Sequence, residues 1–217
     1  AREVGGDFYD YFMIDERYMA LVMADVAGKG IPAALFMMKT KTLIGDSSTS
    51  QRDPSVIMTN ANNALSKKND ESIFVTVFLG ILDIETGHLV YTNAGHTPPF
   101  ICDKKGCRVV DQGHDFVLGG MEGMAYQNYS LDLKPGDRLF LYTDGVTESF
   151  SRSEELFGEE RLSEALEETI SLNGEDMLAN LYNKICDFSE GVEQSDDITM
   201  FVLDYRRNSE TVQLELP

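Results

Sequence analysis

Phe8-Tyr9-Asp10-Tyr11-Phe12-Met13-Ile14 and Tyr18-Met19-Ala20-Leu21-Val22-Met23-Ala24 are two aromatic and apolar runs separated only by Asp15-Glu16-Arg17. Runs of this composition around a short polar turn read as a β-hairpin. The same pattern recurs along the chain. Residues 73–84 form a long β-branched and aromatic run, which Glu85-Thr86-Gly87 turns into a partner at 88–93. Residues 100–102 and 108–110 flank Asp103-Lys104-Lys105-Gly106 as a third hairpin. Pro135-Gly136-Asp137 feeds a strand at 138–143, and residues 198–204 supply a last one.

Helical signals lie between these strands. Asp25 is read as the end of the second strand. Pro32 then sits where the first turn of a helix tolerates proline, and that helix covers residues 33–44. Asp53-Pro54 reads as the cap and first residue of a second helix. Amphipathic helices follow at 159–170 and 175–188. Hairpins interleaved with helices predict an α+β fold of two antiparallel sheets, packed face to face and covered by helices, rather than a parallel doubly wound sheet.

Composition narrows the function. The 217 residues carry 18 Lys and Arg against 37 Asp and Glu, a formal net charge of −19. Such a surface repels phosphate backbones and anionic bilayers, so no nucleic-acid partner and no membrane contact are expected. No apolar run reaches the length of a membrane span. Residues 1–10 lack the pattern of a signal peptide, and the domain is expected to be cytoplasmic and to be a fragment of a longer chain whose N-terminal sensor or linker region precedes it. The three cysteines, Cys102, Cys107 and Cys186, match no zinc-ligand spacing and are expected to be structural and reduced. The tail from Arg206 onward is polar.

The chemistry gathers in four acidic segments. They are Gly5-Gly6-Asp7-Phe8-Tyr9-Asp10, Asp25-Val26-Ala27-Gly28-Lys29-Gly30, Thr143-Asp144-Gly145-Val146-Thr147-Glu148 and Ser195-Asp196-Asp197-Ile198-Thr199. Asp25 and Asp144 each follow an apolar strand, and glycines close by let a backbone approach a ligand. Hard divalent cations take such oxygen ligands. A single Asp-Gly after a strand is ordinarily just a turn, and it is the fourfold recurrence that points to a metal centre.

Taken in order, VGGDFYD, MADVAGKGIPAAL, TNAGHTPPF, YTDGVTE and DDITM resemble the signature of the PPM-type (type 2C) metal-dependent protein phosphatases. The likeness runs from Val4 to Asp204. It is to the bacterial branch of the sporulation stage II protein E and the stress-response sigma-factor regulators. It implies one phosphatase domain over 1–217 with an α-β-β-α sandwich and two Mn²⁺ or Mg²⁺ ions. It also implies that Asp25 bridges both ions, that the Val26 carbonyl binds one, that Asp144 and Asp196 hold the other, and that Asp7 joins directly or through water. Asp25 and Asp144 are the catalytic candidates. Asp10, Lys29, Gly145 and Asp197 are candidates for support or substrate contact. For Asp10 a hairpin role stands level with this one, and for Lys29 a solvated helix-start role is the plainer reading. The implied reaction is hydrolysis of phosphoserine or phosphothreonine by in-line attack of a metal-bridged water. The implied substrate is a phosphorylated anti-sigma-factor antagonist in a partner-switching pathway, and a homodimer is left open.

The chain also departs from the wider family. Eukaryotic members carry a histidine just after the bridging aspartate, where this chain reads Val26-Ala27-Gly28. Arg2 lies upstream of the first motif but is not assigned their phosphate-gripping role. His96 is read as part of a structural turn, with Thr97 inserted before Pro98 and Pro99. The Met-rich stretch 31–44 is read as core packing in preference to a partner surface. Gly5-Gly6-Asp7-Phe8 has one acid where a diguanylate cyclase needs two. Two other functions stay open: a metal-binding interaction module without turnover, and a small-molecule phosphatase whose specificity lies in loops such as 112–124.

Overall fold

A computed structural model of the chain describes residues 5–67, 69 and 72–206. Arg2 and the tail beyond Arg206 lie outside the described residues. The strands and helices fall into two compact units.

The first unit comprises Ala1–His96 and Gln112–Asp132. Its sheet is built from β1 (Phe8–Met13), β2 (Tyr18–Val26), β3 (Val75–Asp83), β4 (His88–Ala94) and β7 (Tyr129–Asp132), hydrogen-bonded in the order β1-β2-β3-β4-β7. Every pairing is antiparallel. The chain reverses locally because Asp15 accepts hydrogen bonds from the backbone N–H groups of Arg17 and Tyr18, at 2.8 and 2.9 Å. The second strand continues past the expected boundary: Asp25 and Val26 still pair with Thr76 and Val75. Asp25 therefore lies inside the ladder instead of ending it. Its neighbours Ala24 and Val26 are buried, and that apolar burial keeps the strand extended. The sequence reading missed β7, a four-residue strand without an apolar run.

Helices α1 (Ile31–Ser48) and α2 (Pro54–Ser66) belong to this unit. Asp53 caps α2 by accepting from the N–H groups of Ser55 and Val56, and Asn128 reaches the same carboxylate from the strand side. Ile57, Met58, Ala61 and Leu65 turn inward on the 3.6-residue period and pack with Val75, Val77, Leu79 and Ile81. Each of the larger of these side chains contributes about 1.5–3 kcal/mol when fully buried, and Ala61 less. In α1, Ala33, Ala34, Phe36 and Ile44 are buried, whereas Ile31, Leu35 and Met38 are exposed. Only part of that Met-rich stretch is core.

At the far end of this sheet Asp83 is 9% exposed. It accepts from Arg17 Nε and Nη2 at 3.0 and 2.5 Å, and from the N–H of Glu85 at 3.1 Å. The Arg17 guanidinium, foremost, holds the Asp83 carboxyl far below the usual carboxylate range. A folded-state pKa depressed below the unfolded value, about 4, gives stability that is present above that value and lost as pH falls below it. Urea unfolding of the wild-type protein should therefore weaken steeply below about pH 4. The difference from Asp83→Asn should shrink over the same interval. A difference that stays constant down to pH 2 would contradict this assignment.

The second unit comprises Thr97–Asp111 and Leu133–Pro217. Strands β5 (Phe100–Asp103), β6 (Gly106–Val109), β8 (Arg138–Tyr142) and β9 (Met200–Asp204) order as β6-β5-β8-β9, again antiparallel. Helices α3 (Gly158–Thr169) and α4 (Gly174–Phe188) bury Leu162, Leu166, Met177, Leu181 and Ile185 with Phe140, Tyr142 and Val202. Asn173 caps α4 through the N–H of Asp176. Arg138 and Asp204, facing residues of β8 and β9, form an ion pair with little solvent access.

The cysteine expectation is corrected here. Cys102 and Cys107 form a disulfide, and only Cys186 is free. The hairpin register places the pair directly opposite, with Cα atoms 4.0 Å apart, so the thiols meet without backbone movement. Among the described residues the content is the expected one: two antiparallel sheets and four helices, an α+β fold.

Candidate active site

The acidic segments divide between the units. In the first, Asp25 is half-buried near the end of β2. Its rigidity comes from the ladder and from Ala27, whose N–H bonds the Phe74 carbonyl at 2.9 Å. Gly6 packs on the next residue, and a Cβ there would lie 2.9 Å from the Val26 carbonyl oxygen. Only glycine lets the Gly5-Gly6-Asp7 segment come this close to that carbonyl. Asp7, half-buried, follows directly. Asp10 pairs with Lys41 of α1 at 3.3 Å. Lys29 is exposed between Gly28 and Gly30, whose φ angles of 95° and 81° suit glycine.

His96 is buried in the same unit. Its N–H bonds the Asn93 side-chain oxygen at 2.7 Å, and Asn93 Nδ2 donates to the His96 carbonyl at 3.0 Å. Gly95, at φ 72°, makes that turn. The ring reaches Thr76 Oγ1 at 2.9 Å, and Thr76 is the ladder partner of Asp25.

The second unit joins two of the acidic segments. Beyond β8 the chain turns tightly: the N–H of Val146 bonds the Thr143 carbonyl at 3.1 Å, and that of Glu148 bonds the Asp144 carbonyl at 2.7 Å. Ser149 Oγ closes the turn onto the Gly145 carbonyl at 2.7 Å. The Thr143 N–H donates to the Thr199 carbonyl at 3.0 Å, and the Thr199 N–H donates back to Thr143 Oγ1 at 3.1 Å. This reciprocal pair fastens the Asp144 turn to the Asp196-Asp197 loop. Gly145 lies against the Asp197 carbonyl with no room for a side chain. Gln194 Nε2 donates to the Asp196 carbonyl at 2.7 Å, and Asp196 Oδ1 accepts from the Asp197 N–H at 2.9 Å. Both Asp144 and Asp196 remain half-buried with solvent access.

Electrostatics adds a residue that the sequence reading quoted but assigned no role. Lost hydration, then the charges of Asp144 and Asp196, push the Glu148 carboxyl up. Three carboxylates thus share one local field. Sequence could not separate Glu148 from an ordinary turn residue. Thr143, Thr199 and Gln194, whose role is to hold backbone, carried no signal at all. Among the described residues no three His, Cys, Asp or Glu side chains converge as a finished metal cage. The donors themselves are all oxygen, and crowded carboxylates are the set a hard divalent cation takes.

The model of the Stage II sporulation protein E family matches residues 15–206. The chain belongs to that family. It is 34% identical to Protein IcfG of Synechocystis sp., over 94% of this chain and 36% of that protein. It is 31% identical to the phosphoserine phosphatase RsbU of Bacillus subtilis, over 94% of this chain and 60% of that protein. The chain thus spans about a third and three-fifths of those two relatives. The SiaA-PP2C domain of Pseudomonas aeruginosa superposes with a TM-score of 0.82 at 23% identity, over 93% of this chain and 81% of that one. This last likeness concerns the fold alone. Among the described residues no helix of this family member is long and apolar enough to cross a membrane.

Proposed function

We propose that this chain is the catalytic domain of a metal-dependent phosphoprotein phosphatase that hydrolyses phosphoserine or phosphothreonine. In this reading the stretch 1–217 works as one domain. Its substrate is a phosphorylated anti-sigma-factor antagonist in a partner-switching pathway, met in the cytoplasm. The observation that carries it is the Thr143–Thr199 tie, which holds the Asp144 turn and the Asp196 loop as one rigid acidic element. The relatives named phosphoserine phosphatases support the substrate class.

Asp7, Asp25, the Val26 carbonyl, Asp144 and Asp196 are proposed to hold two Mn²⁺ or Mg²⁺ ions. Bound cations lower the pKa of water and offset phosphoryl charge. The chain supplies the rest. Asp25 stands on a central strand and Asp144 in a hydrogen-bonded turn, so neither needs to reorganise when substrate arrives. Gly145 keeps backbone instead of side chain beside the loop. Cysteine chemistry is not part of the reading: Cys102 and Cys107 are bonded to each other, and Cys186 lies on α4, outside the acidic segments.

The test is hydrolysis of para-nitrophenyl phosphate and of a phosphoserine protein with Mn²⁺, with Mg²⁺ and with EDTA. Activity is expected with either cation, falling at least about 100-fold on chelation. Turnover that persists in EDTA would sink the proposal.

A further inference from the structure

Beyond the acidic loops, the second unit carries an open, shallow cleft with a cavity volume of ≈ 40 Å³. Phe150, Tyr182, Val192 and Ile198 give it apolar walls, and Cys186 lies between them. Phe150 and Tyr182 are 40% and 49% exposed, and here they share one cleft. Their positions are built, not accidental. Phe150 sits on a small hairpin closed by its bridge to Leu156 and by the Phe157 N–H on the Ser149 carbonyl at 2.8 Å. Tyr182 and Cys186 stand one turn apart on α4. Arg152 Nε, donating to the Glu190 carbonyl at 2.7 Å, clamps the hairpin to the segment that carries Val192.

Two of the segments that line the cleft run directly into the proposed catalytic loops. Ser149 in its lining bonds the Gly145 carbonyl, next to Asp144, and Ser195 precedes Asp196. Its surroundings are strongly acidic. Glu148, Glu154, Glu155, Glu190 and Glu193 lie on the hairpin and on the segment after α4; Arg152 beside Glu190 and Arg161 beside Glu155 offset two of them, and Lys184 on α4 pairs with Glu168. A ligand that fills it with an apolar group and brings basic neighbours matches both features.

We propose that this cleft receives one large apolar side chain, of leucine or phenylalanine size, flanked by Lys or Arg in the phosphoprotein substrate. It is then a specificity pocket for residues beside the phosphoserine. This inference rests on the phosphatase reading above. It assigns Phe150 and Tyr182 to substrate selection, not to the chemical step.

The probes are synthetic phosphoserine peptides in which one Leu, or one Asn as control, is walked along Lys-containing flanks. Both kcat/KM and binding by fluorescence polarisation are measured. The wild-type protein should prefer one Leu position by roughly tenfold, the usual scale for an apolar pocket. Tyr182→Ala, which removes a wall, and Cys186→Trp, which fills the space, should each abolish that preference. Hydrolysis of para-nitrophenyl phosphate, which has no flanking residues, should stay unchanged in both. Equal handling of Leu and Asn peptides by the wild type would overturn the proposal, as would a preference that survives both substitutions. A dimer in sedimentation that Tyr182→Ala dissolves would overturn it in favour of a second copy of this chain. If para-nitrophenyl phosphate is not hydrolysed at all, the phosphatase reading fails, and the Leu-against-Asn binding difference still decides the cleft.

Discussion

Asp144→Asn is expected to lower kcat on a phosphoserine protein by about 1,000-fold at saturating Mn²⁺, with little change in melting temperature. The amide is isosteric, and the turn around it is held through the Asp144 carbonyl, to which Glu148 N–H and Thr147 Oγ1 donate. Those backbone bonds survive the substitution. The fold also loses one negative charge beside Glu148 and Asp196, which eases repulsion. What disappears is an anionic oxygen donor. A cation's share in stabilising developing charge is worth several kcal/mol, and about 4 kcal/mol corresponds to roughly 1,000-fold in rate. Calorimetric titration with Mn²⁺ should show weaker binding in parallel. Activity within about tenfold of the wild type would remove Asp144 from the proposed ligand set.

Gly145→Ala should cost about 100-fold in kcat, by a different route. No charge changes, and the chain conformation at Gly145 is not what demands glycine. Space is. A methyl there overlaps the Asp197 carbonyl oxygen and lies 2.9 Å from its carbonyl carbon and 3.5 Å from Asp196 Cβ. The obstruction is mostly backbone, so a rotamer change cannot relieve it. The Asp196-Asp197 loop must shift against the Thr143–Thr199 bonds that hold it. Overpacking of this kind typically costs 1–3 kcal/mol of stability. A displacement of about 1 Å in a catalytic constellation costs on the order of 100-fold. The variant should therefore be moderately destabilised, bind Mn²⁺ more weakly and retain its circular dichroism spectrum. Wild-type rates in a folded Gly145→Ala protein would show that the two loops do not act together.

The two substitutions separate ligand chemistry from ligand placement. A loss in Asp144→Asn alone would mean that the loop tolerates movement. A loss in Gly145→Ala alone would mean that its backbone, not the Asp144 carboxylate, serves the reaction.

The amino-acid sequence by itself determined the local elements and the chemical character of the site. Alternating and branched apolar runs broken by Asp15-Glu16-Arg17 or Glu85-Thr86-Gly87 report backbone geometry within a few residues, so hairpins could be read directly. The same holds for the Asp53-Pro54 helix start, because a cap acts on its own first turn. Four acidic segments, three of them glycine-bearing, pointed to oxygen-ligand metal chemistry before any contact was known. Tertiary structure decided the rest. That Asp25 stays inside β2 follows from its pairing with Thr76, and β7 exists because β4 offers it an edge. That Cys102 meets Cys107 depends on hairpin register. In α1, apolar character did not distinguish buried Phe36 from exposed Leu35, since only packing partners settle that. The tie between Thr143 and Thr199, and the contact of Gly145 with Asp197, join residues far apart along the chain. They depend on how β8 and β9 align, and no local pattern encodes that alignment.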